Sequence, residues 1–174
     1  INKEKTIESS MRAGLRNGEF VPYLQPKIDC FTGRAVGAEA LVRWIKPDGE
    51  VTSPDFFIPY FEKSGFITKI DMYMFGETCR ILKKWMDEGK QVFPVSCNFS
   101  YLDILGNNFT KYLKIMSERH GVPPELLELE LTESVAAQHI DVVNSSGKEL
   151  SNYGFRLSID DFGAGYSSLS LLQI

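Results

Sequence analysis

The 174-residue chain has only three cysteines and two histidines. Cys30, Cys79 and Cys97 are odd in number, far apart and without a Cys-x-x-Cys pair. That excludes a disulfide framework and a thiolate zinc site, and it fits a reducing compartment. His120 and His139 fall in segments of helical pattern, away from every strand end, and no nucleophile elbow accompanies them, so histidine-based catalysis has no support. No apolar run approaches the roughly 18–20 residues that span a bilayer, and Ile1-Asn2-Lys3-Glu4-Lys5 lacks the shape of a signal peptide. An excess of positive charge is missing as well. With 19 basic and 23 acidic residues the formal net charge is -4, so no global field draws in DNA or RNA. These absences lead to the expectation of a cytoplasmic domain, either free or as the cytoplasmic part of a membrane-anchored protein.

What remains is 43% hydrophobic and 24% charged, the composition of one ordinary globular domain. Ile7, Met11 and Leu15 are spaced by four, which predicts a helix within the first 18 residues. Residues 20–29 form an extended run whose Pro22 and Pro26 suit an edge strand, and a turn at Thr32-Gly33 leads to a second strand over 35–44. Pro47-Asp48-Gly49 closes that strand, and Ser53-Pro54-Asp55 signals a helix start, with Gly65 as its stop. Phe75, Cys79, Leu82 and Met86 predict an amphipathic helix over 71–88, capped by Asp71. Further strands are expected over 92–99, 126–131 and 155–159, with helices over 108–120 and 133–153. Phe20, Tyr23, Phe56, Phe57, Tyr60, Phe61 and Phe66 belong mostly to the core, with one or two free to stack on a ligand base.

Alternation of strands and helices through short connections predicts an α/β fold with a parallel sheet. A (β/α)8 barrel and a doubly wound sheet share this rhythm, but no Gly-x-Gly-x-x-Gly follows the first strand to support dinucleotide binding. Acids and amides then recur at strand ends: Glu39, Asn98, Glu130 and the pair Asp160-Asp161. In a parallel barrel the carboxyl ends of the strands meet at one mouth. Hard oxygen donors gathered there suit Mg²⁺ or Mn²⁺, and the chemistry they suggest is metal-assisted hydrolysis of a phosphate ester. Singly, each residue has a plainer reading. A strand glutamate is explained equally by solvent or by a pair with Arg43, a terminal Asn by a turn, and adjacent aspartates by a helix cap. Paired carboxylates would also serve a glycoside hydrolase, but that leaves the amide and the aspartate pair without a role.

Six ordered blocks carry a resemblance. Glu39-Ala40-Leu41 with Arg43-Trp44, preceded by Gln25-Pro26 and Thr32-Gly33, resembles the signature of the EAL family of cyclic di-GMP phosphodiesterases. Pro54-Asp55-Phe56-Phe57-Ile58-Pro59, Ser96-Cys97-Asn98-Phe99-Ser100, Glu130-Leu131-Thr132-Glu133-Ser134, and the run from Asp160-Asp161-Phe162-Gly163 to Leu169 resemble family blocks in family order. Cys97 and Ala164 depart from it, standing where an aliphatic residue and a threonine are usual.

The resemblance implies a (β/α)8 TIM-type barrel with one atypical antiparallel strand, hydrolysing cyclic di-GMP to pGpG with two Mg²⁺ or Mn²⁺ ions. It makes Glu39, Asn98, Glu130 and Asp160 ligands of one ion, and Asp160 with Asp161 ligands of the other. Gln25 and Arg43 become substrate contacts, and Glu133 the residue that holds the loop after Asp161, through which a homodimer is expected. Residues 1–18 resemble a linker helix from a preceding signalling domain such as GGDEF, and 19–174 the first two-thirds of the barrel. A catalytic lysine, a further metal-side glutamate and about three strands are expected beyond Ile174, so the chain alone is expected to be inactive. A catalytically silent cyclic di-GMP receptor is the alternative implied.

Overall fold

A computed structural model describes residues 2–106, 108–132 and 140–160. Helix α1 (Asn2–Arg16) leads into an antiparallel hairpin of β1 (Phe20–Ile28) and β2 (Ala35–Ile45), with a two-residue strand β3 (Val51–Thr52) beside β2. Helices α2 (Pro54–Ser64) and α3 (Ile67–Asp87) precede β4 (Val95–Asn98). A single helical turn α4 (Tyr101–Ile104), α5 (Phe109–His120), β5 (Leu127–Thr132), α6 (Ile140–Tyr153) and β6 (Arg156–Asp160) follow. The strands lie in the order β1-β2-β4-β5-β6, and from β2 onward the neighbours in that order are parallel. The expected antiparallel strand is therefore β1. Its Pro22 and Pro26 suit its place at the edge, since among the described residues β1 pairs with β2 alone.

The hairpin turn is built by Asp29, whose carboxylate accepts from the backbone N–H of Thr32 at 2.7 Å and of Phe31 at 3.1 Å, and from the Thr32 hydroxyl at 2.8 Å. Gly33 follows at φ 66°, a left-handed conformation open to glycine at no steric cost.

Register decides which residues share a face. Glu39 lies opposite Ser96, Asn98 opposite Glu130, and Thr132 opposite Asp160. Residues in register, and those two apart along a strand, point the same way. One face thus carries Gln25, Lys27, Glu39, Ser96, Asn98, Glu128, Glu130 and Asp160, and the other Ala38, Ala40, Val95, Cys97, Leu127, Leu129 and Leu131. The apolar face packs against Phe75, Cys79 and Leu82 of α3, Phe109 and Leu113 of α5, and Val143 and Leu150 of α6. A second core joins Met11 of α1 to Phe20, Trp44, Phe57, Phe61 and Phe66, with Phe57 and Phe61 centroids 4.9 Å apart.

The polar face is concave. Lys27 of β1 reaches Glu128 and Glu130 of β5, three strands away in the sheet order. At about 4.8 Å per strand a flat sheet would separate them by about 14 Å, beyond any lysine. The contact requires the sheet to curl into a barrel wall, with its polar face as the lumen.

Three sequence expectations change. Asp71 does not cap a helix: α3 begins at Ile67, because Ile67, Ile70 and Met74 extend its apolar stripe N-terminally into the second core, and Asp71 is buried within it. The strand expected over 92–99 shortens to β4, since Pro94 has no N–H for a ladder and offers only its carbonyl, to the Ala38 N–H at 3.0 Å. The turn α4 and the strand β3 carry too few residues for any periodicity to announce them. The N-terminal part of the helix expected over 133–153 lies outside the described residues, as does His139.

Candidate functional site

Glu39, Asn98, Glu130 and Asp160 stand on four successive parallel strands and on one face. Between β2 and β4 the set steps up the wall by two residues, between β4 and β5 by none, and between β5 and β6 by two. A barrel whose strands climb about one residue per neighbour brings such a staircase level at the mouth. Contact confirms the first step: the Asn98 amide nitrogen donates to Glu39 Oε1 at 2.8 Å. Asn98 is exposed, Glu39 half-buried and Glu130 buried.

Glu130 is held from across the lumen. Lys27 Nζ lies 3.4 Å from Glu130 Oε2 and 3.3 Å from Glu128 Oε1. Burial pulls the Lys27 ammonium down, but the carboxylates of Glu130 and Glu128 outweigh it and raise its pKa above the ordinary lysine value, so it stays charged at neutral pH. Ser96, in register with Glu39 and fully buried, has a hydroxyl without a hydrogen-bond partner among the described residues.

Of the residues expected to meet substrate, Gln25 is opposite Glu39 in the hairpin register and exposed. Arg43, four residues up β2 from Glu39, donates from Nη1 to the Val42 carbonyl at 2.8 Å and places its guanidinium 5.8 Å from the centre of the half-exposed Tyr23 ring. The plainer pairing of Glu39 with Arg43 is not what the structure shows. Asp161 and Glu133, with the loop from Phe162 onward, lie outside the described residues.

Sequence reasoning missed two arrangements. One is Lys27 with Glu128, for which the alternation Gln25-x-Lys27 and Glu128-x-Glu130 was the available signal. The other lies behind Asn98, where the Ser100 N–H donates to Asp103 Oδ2 at 2.8 Å and to Asp71 Oδ2 at 3.2 Å. Burial, then a hydrogen bond and charge from Asp103, hold the Asp71 carboxyl well above the ordinary range, opposed by the Ser100 N–H and reinforced by Glu62. That shift favours the protonated acid at Asp71, and the buried Asp103 Oδ1 has no hydrogen-bond partner among the described residues. This carboxyl pair anchors the start of α4 directly after the strand that bears Asn98.

By donor chemistry the four residues fit a hard divalent cation: three carboxylates and an amide oxygen, on one face of the sheet. Two of the carboxylates already face positively polarised hydrogens, from Asn98 and Lys27, which is the electrostatic partner a cation would be. Among the described residues no three His, Cys, Asp or Glu side chains close into a finished metal cluster.

Comparison with known proteins agrees with this fold. Signaling protein YkoW of Bacillus subtilis is 34% identical over 177 residues, covering 99% of this chain and 22% of the relative. The bifunctional diguanylate cyclase/cyclic di-GMP phosphodiesterase MucR of Pseudomonas aeruginosa is 35% identical over 163 residues, covering 94% of this chain and 24% of MucR. The chain thus spans about a quarter of the length of these curated relatives. Among solved structures, the PaMucR phosphodiesterase in complex with c-di-GMP superposes with a TM-score of 0.90 at 34% identity, over 97% of this chain and 68% of that one. The Xanthomonas citri FimX EAL domain gives 0.87 at 20% identity over 99% of this chain and 65% of that one, a likeness of fold alone. The EAL domain model matches residues 8–173, and with that match the barrel wall and its acidic mouth have their place: the chain belongs to the EAL domain family.

Proposed function

We propose that this chain carries the N-terminal wall and most of the metal ligands of a cyclic di-GMP phosphodiesterase domain. The observation that carries the reading is the placement of Glu39, Asn98, Glu130 and Asp160 on one lumenal face, with Glu39 and Asn98 already in contact. Family membership and the cyclic di-GMP complex of the MucR relative supply the substrate class. Glu39, Asn98, Glu130 and Asp160 would hold one Mg²⁺ or Mn²⁺, and Asp160 with Asp161 a second. Bound ions would lower the pKa of a water and stabilise the charge that develops on the phosphoryl oxygens during in-line attack.

The remaining work falls to the chain itself. Arg43 presents a planar fork suited to a phosphate, and the Tyr23 ring under it keeps the guanidinium extended toward the mouth. Gln25, exposed opposite Glu39, orients the substrate over the carboxylates. The Asp71–Asp103 pair fixes the chain after Asn98, so the amide meets its partner with little freedom left to lose. Hydrolysis adds water across one phosphodiester bond of the ring and leaves linear pGpG. The reading extends to an N-terminal signalling domain joined through α1, and to a homodimer formed by the loop that Glu133 would hold.

The test is chromatographic detection of pGpG from cyclic di-GMP and Mn²⁺ with the intact domain. Glu39→Ala should lower turnover by more than the roughly 10- to 100-fold that loss of an outer-sphere partner costs. Its melting temperature should move little, because Glu39 contributes one half-exposed hydrogen bond to the fold. Unchanged turnover at saturating Mn²⁺ would remove Glu39 from the site. Tight binding of cyclic di-GMP with no pGpG from the parent protein would identify a receptor instead.

A further inference from the structure

Lys27 stands on the antiparallel strand, opposite Gly37, and its stem runs beside that glycine: a methyl group placed on Gly37 would lie in ordinary contact with Lys27 Cβ and Cδ, each at 3.9 Å, and press only on the Pro94 carbonyl at 3.1 Å. Its ammonium ends between two carboxylates of β5 that are two residues apart and share a face. Both contacts, 3.3 and 3.4 Å, are longer than the roughly 2.9 Å of a committed ammonium–carboxylate bond. The ammonium is thus shared between an acceptor at the mouth, Glu130, and one a rung below it, Glu128. Glu128 is not among the residues placed around the ions. It gives the lysine somewhere to stay when Glu130 turns to another cation.

We propose that Lys27 is an internal counter-cation of the metal site: it balances Glu128 and Glu130 before an ion binds and withdraws onto Glu128 when one does, thereby setting the affinity of the site. The inference rests on the assignment of Glu130 as a metal ligand. Lys27 is a positioning residue, acting through Glu130. Two carboxylates on one strand face repel when no cation lies between them, so the lysine stabilises the empty site and opposes the ion by the same charge.

Manganese titration calorimetry and thermal melts in EDTA, on the purified protein without substrate, test this. Lys27→Met should melt lower in EDTA yet bind Mn²⁺ about three- to tenfold more tightly, as removal of one like charge about 6 Å away in a partly aqueous site implies. Lys27→Arg should restore both values toward the parent. A residue that merely supported the fold would weaken Mn²⁺ binding when removed. Equal or weaker binding by Lys27→Met, with the parent binding normally, overturns the proposal. Glu128→Gln supplies a second arm, since it leaves the ammonium no alternative to Glu130. It should weaken Mn²⁺ binding severalfold, and the effect should shrink in the Lys27→Met background, as a double-mutant cycle reads directly. Additive effects in that cycle would count against the shuttle. No Mn²⁺ uptake by the parent protein would strike the ligand assignment itself, a separate result.

Discussion

Arg43 shows how much a single side chain depends on what lies beneath it. Its guanidinium rests near the Tyr23 ring and keeps one donor on the Val42 carbonyl, which leaves the outer edge of the fork for an anion at the mouth. Lysine would keep the charge and lose the fork. Arg43→Lys should therefore raise the Kd for cyclic di-GMP about tenfold, the value of one lost charge-assisted hydrogen bond, while the melting temperature stays close to the parent's. Calorimetric titration with substrate checks it, and an unchanged Kd would take Arg43 out of the phosphate contact. At this scale the sequence was informative where polarity interrupts an apolar strand: Glu39 within Ala38–Leu41 and Glu130 within Leu129–Leu131 are conspicuous for that reason. Lys27 was not, because it lies among other polar residues and its partners are a hundred positions away. Only curvature of the sheet joins them.

At the scale of elements, the joint between α3 and α4 is the one to watch. Asp71 comes from a helix whose start the periodicity misplaces, and Asp103 from a four-residue turn that periodicity does not register. Their meeting is a tertiary fact with no local signal. Burial, with Asp103 beside it, raises the pKa of the Asp71 carboxyl in the folded chain. Such a group contributes fully below its unfolded pKa, and the contribution is lost as pH rises through the folded value. Asp71→Asn can donate to Asp103 at any pH. Relative to this variant, the parent should lose stability steadily as pH climbs from the acid range through the raised value. Thermal melts of both proteins from pH 5 to 8 should diverge, and parallel curves would show that the two carboxyls share no proton. Elsewhere the elements were legible where stop signals coincide with a stripe, as at Gly65, whose φ of 69° ends α2, and at Gly121, whose φ of 63° ends α5.

Across the whole molecule, the division into two cores explains why the barrel rhythm was readable and its curvature was not. The core under β2, β4 and β5 is ordinary sheet-on-helix packing, and alternation of apolar and polar residues along those strands announces it. The aromatic core is assembled by α1, the hairpin and α2, with Phe61 in ring contact with Phe20, Phe57 and Phe66. It reaches the barrel through Trp44, five residues along the strand that carries Glu39. Any motion of α1 that disturbs Met11 is thus felt on the strand that supplies the first carboxylate of the mouth.

The three thiols divide the molecule by accessibility. Cys30 is exposed on the hairpin turn, whereas Cys79 and Cys97 are buried, and burial pushes both thiols up to about 12, so neither offers thiolate to a reagent in the folded state. Cys97 immediately precedes Asn98 and leans on the Thr78 hydroxyl at 3.4 Å, which makes its alkylation a clock for the opening of β4. One thiol should react with Ellman's reagent at once and two only as the wall opens. If Asn98 grips an ion, added Mn²⁺ should slow the Cys97 reaction in proportion to site occupancy and leave Cys30 unaffected. The strand that presents the amide to the mouth would then report occupancy from its opposite face, without substrate and without turnover.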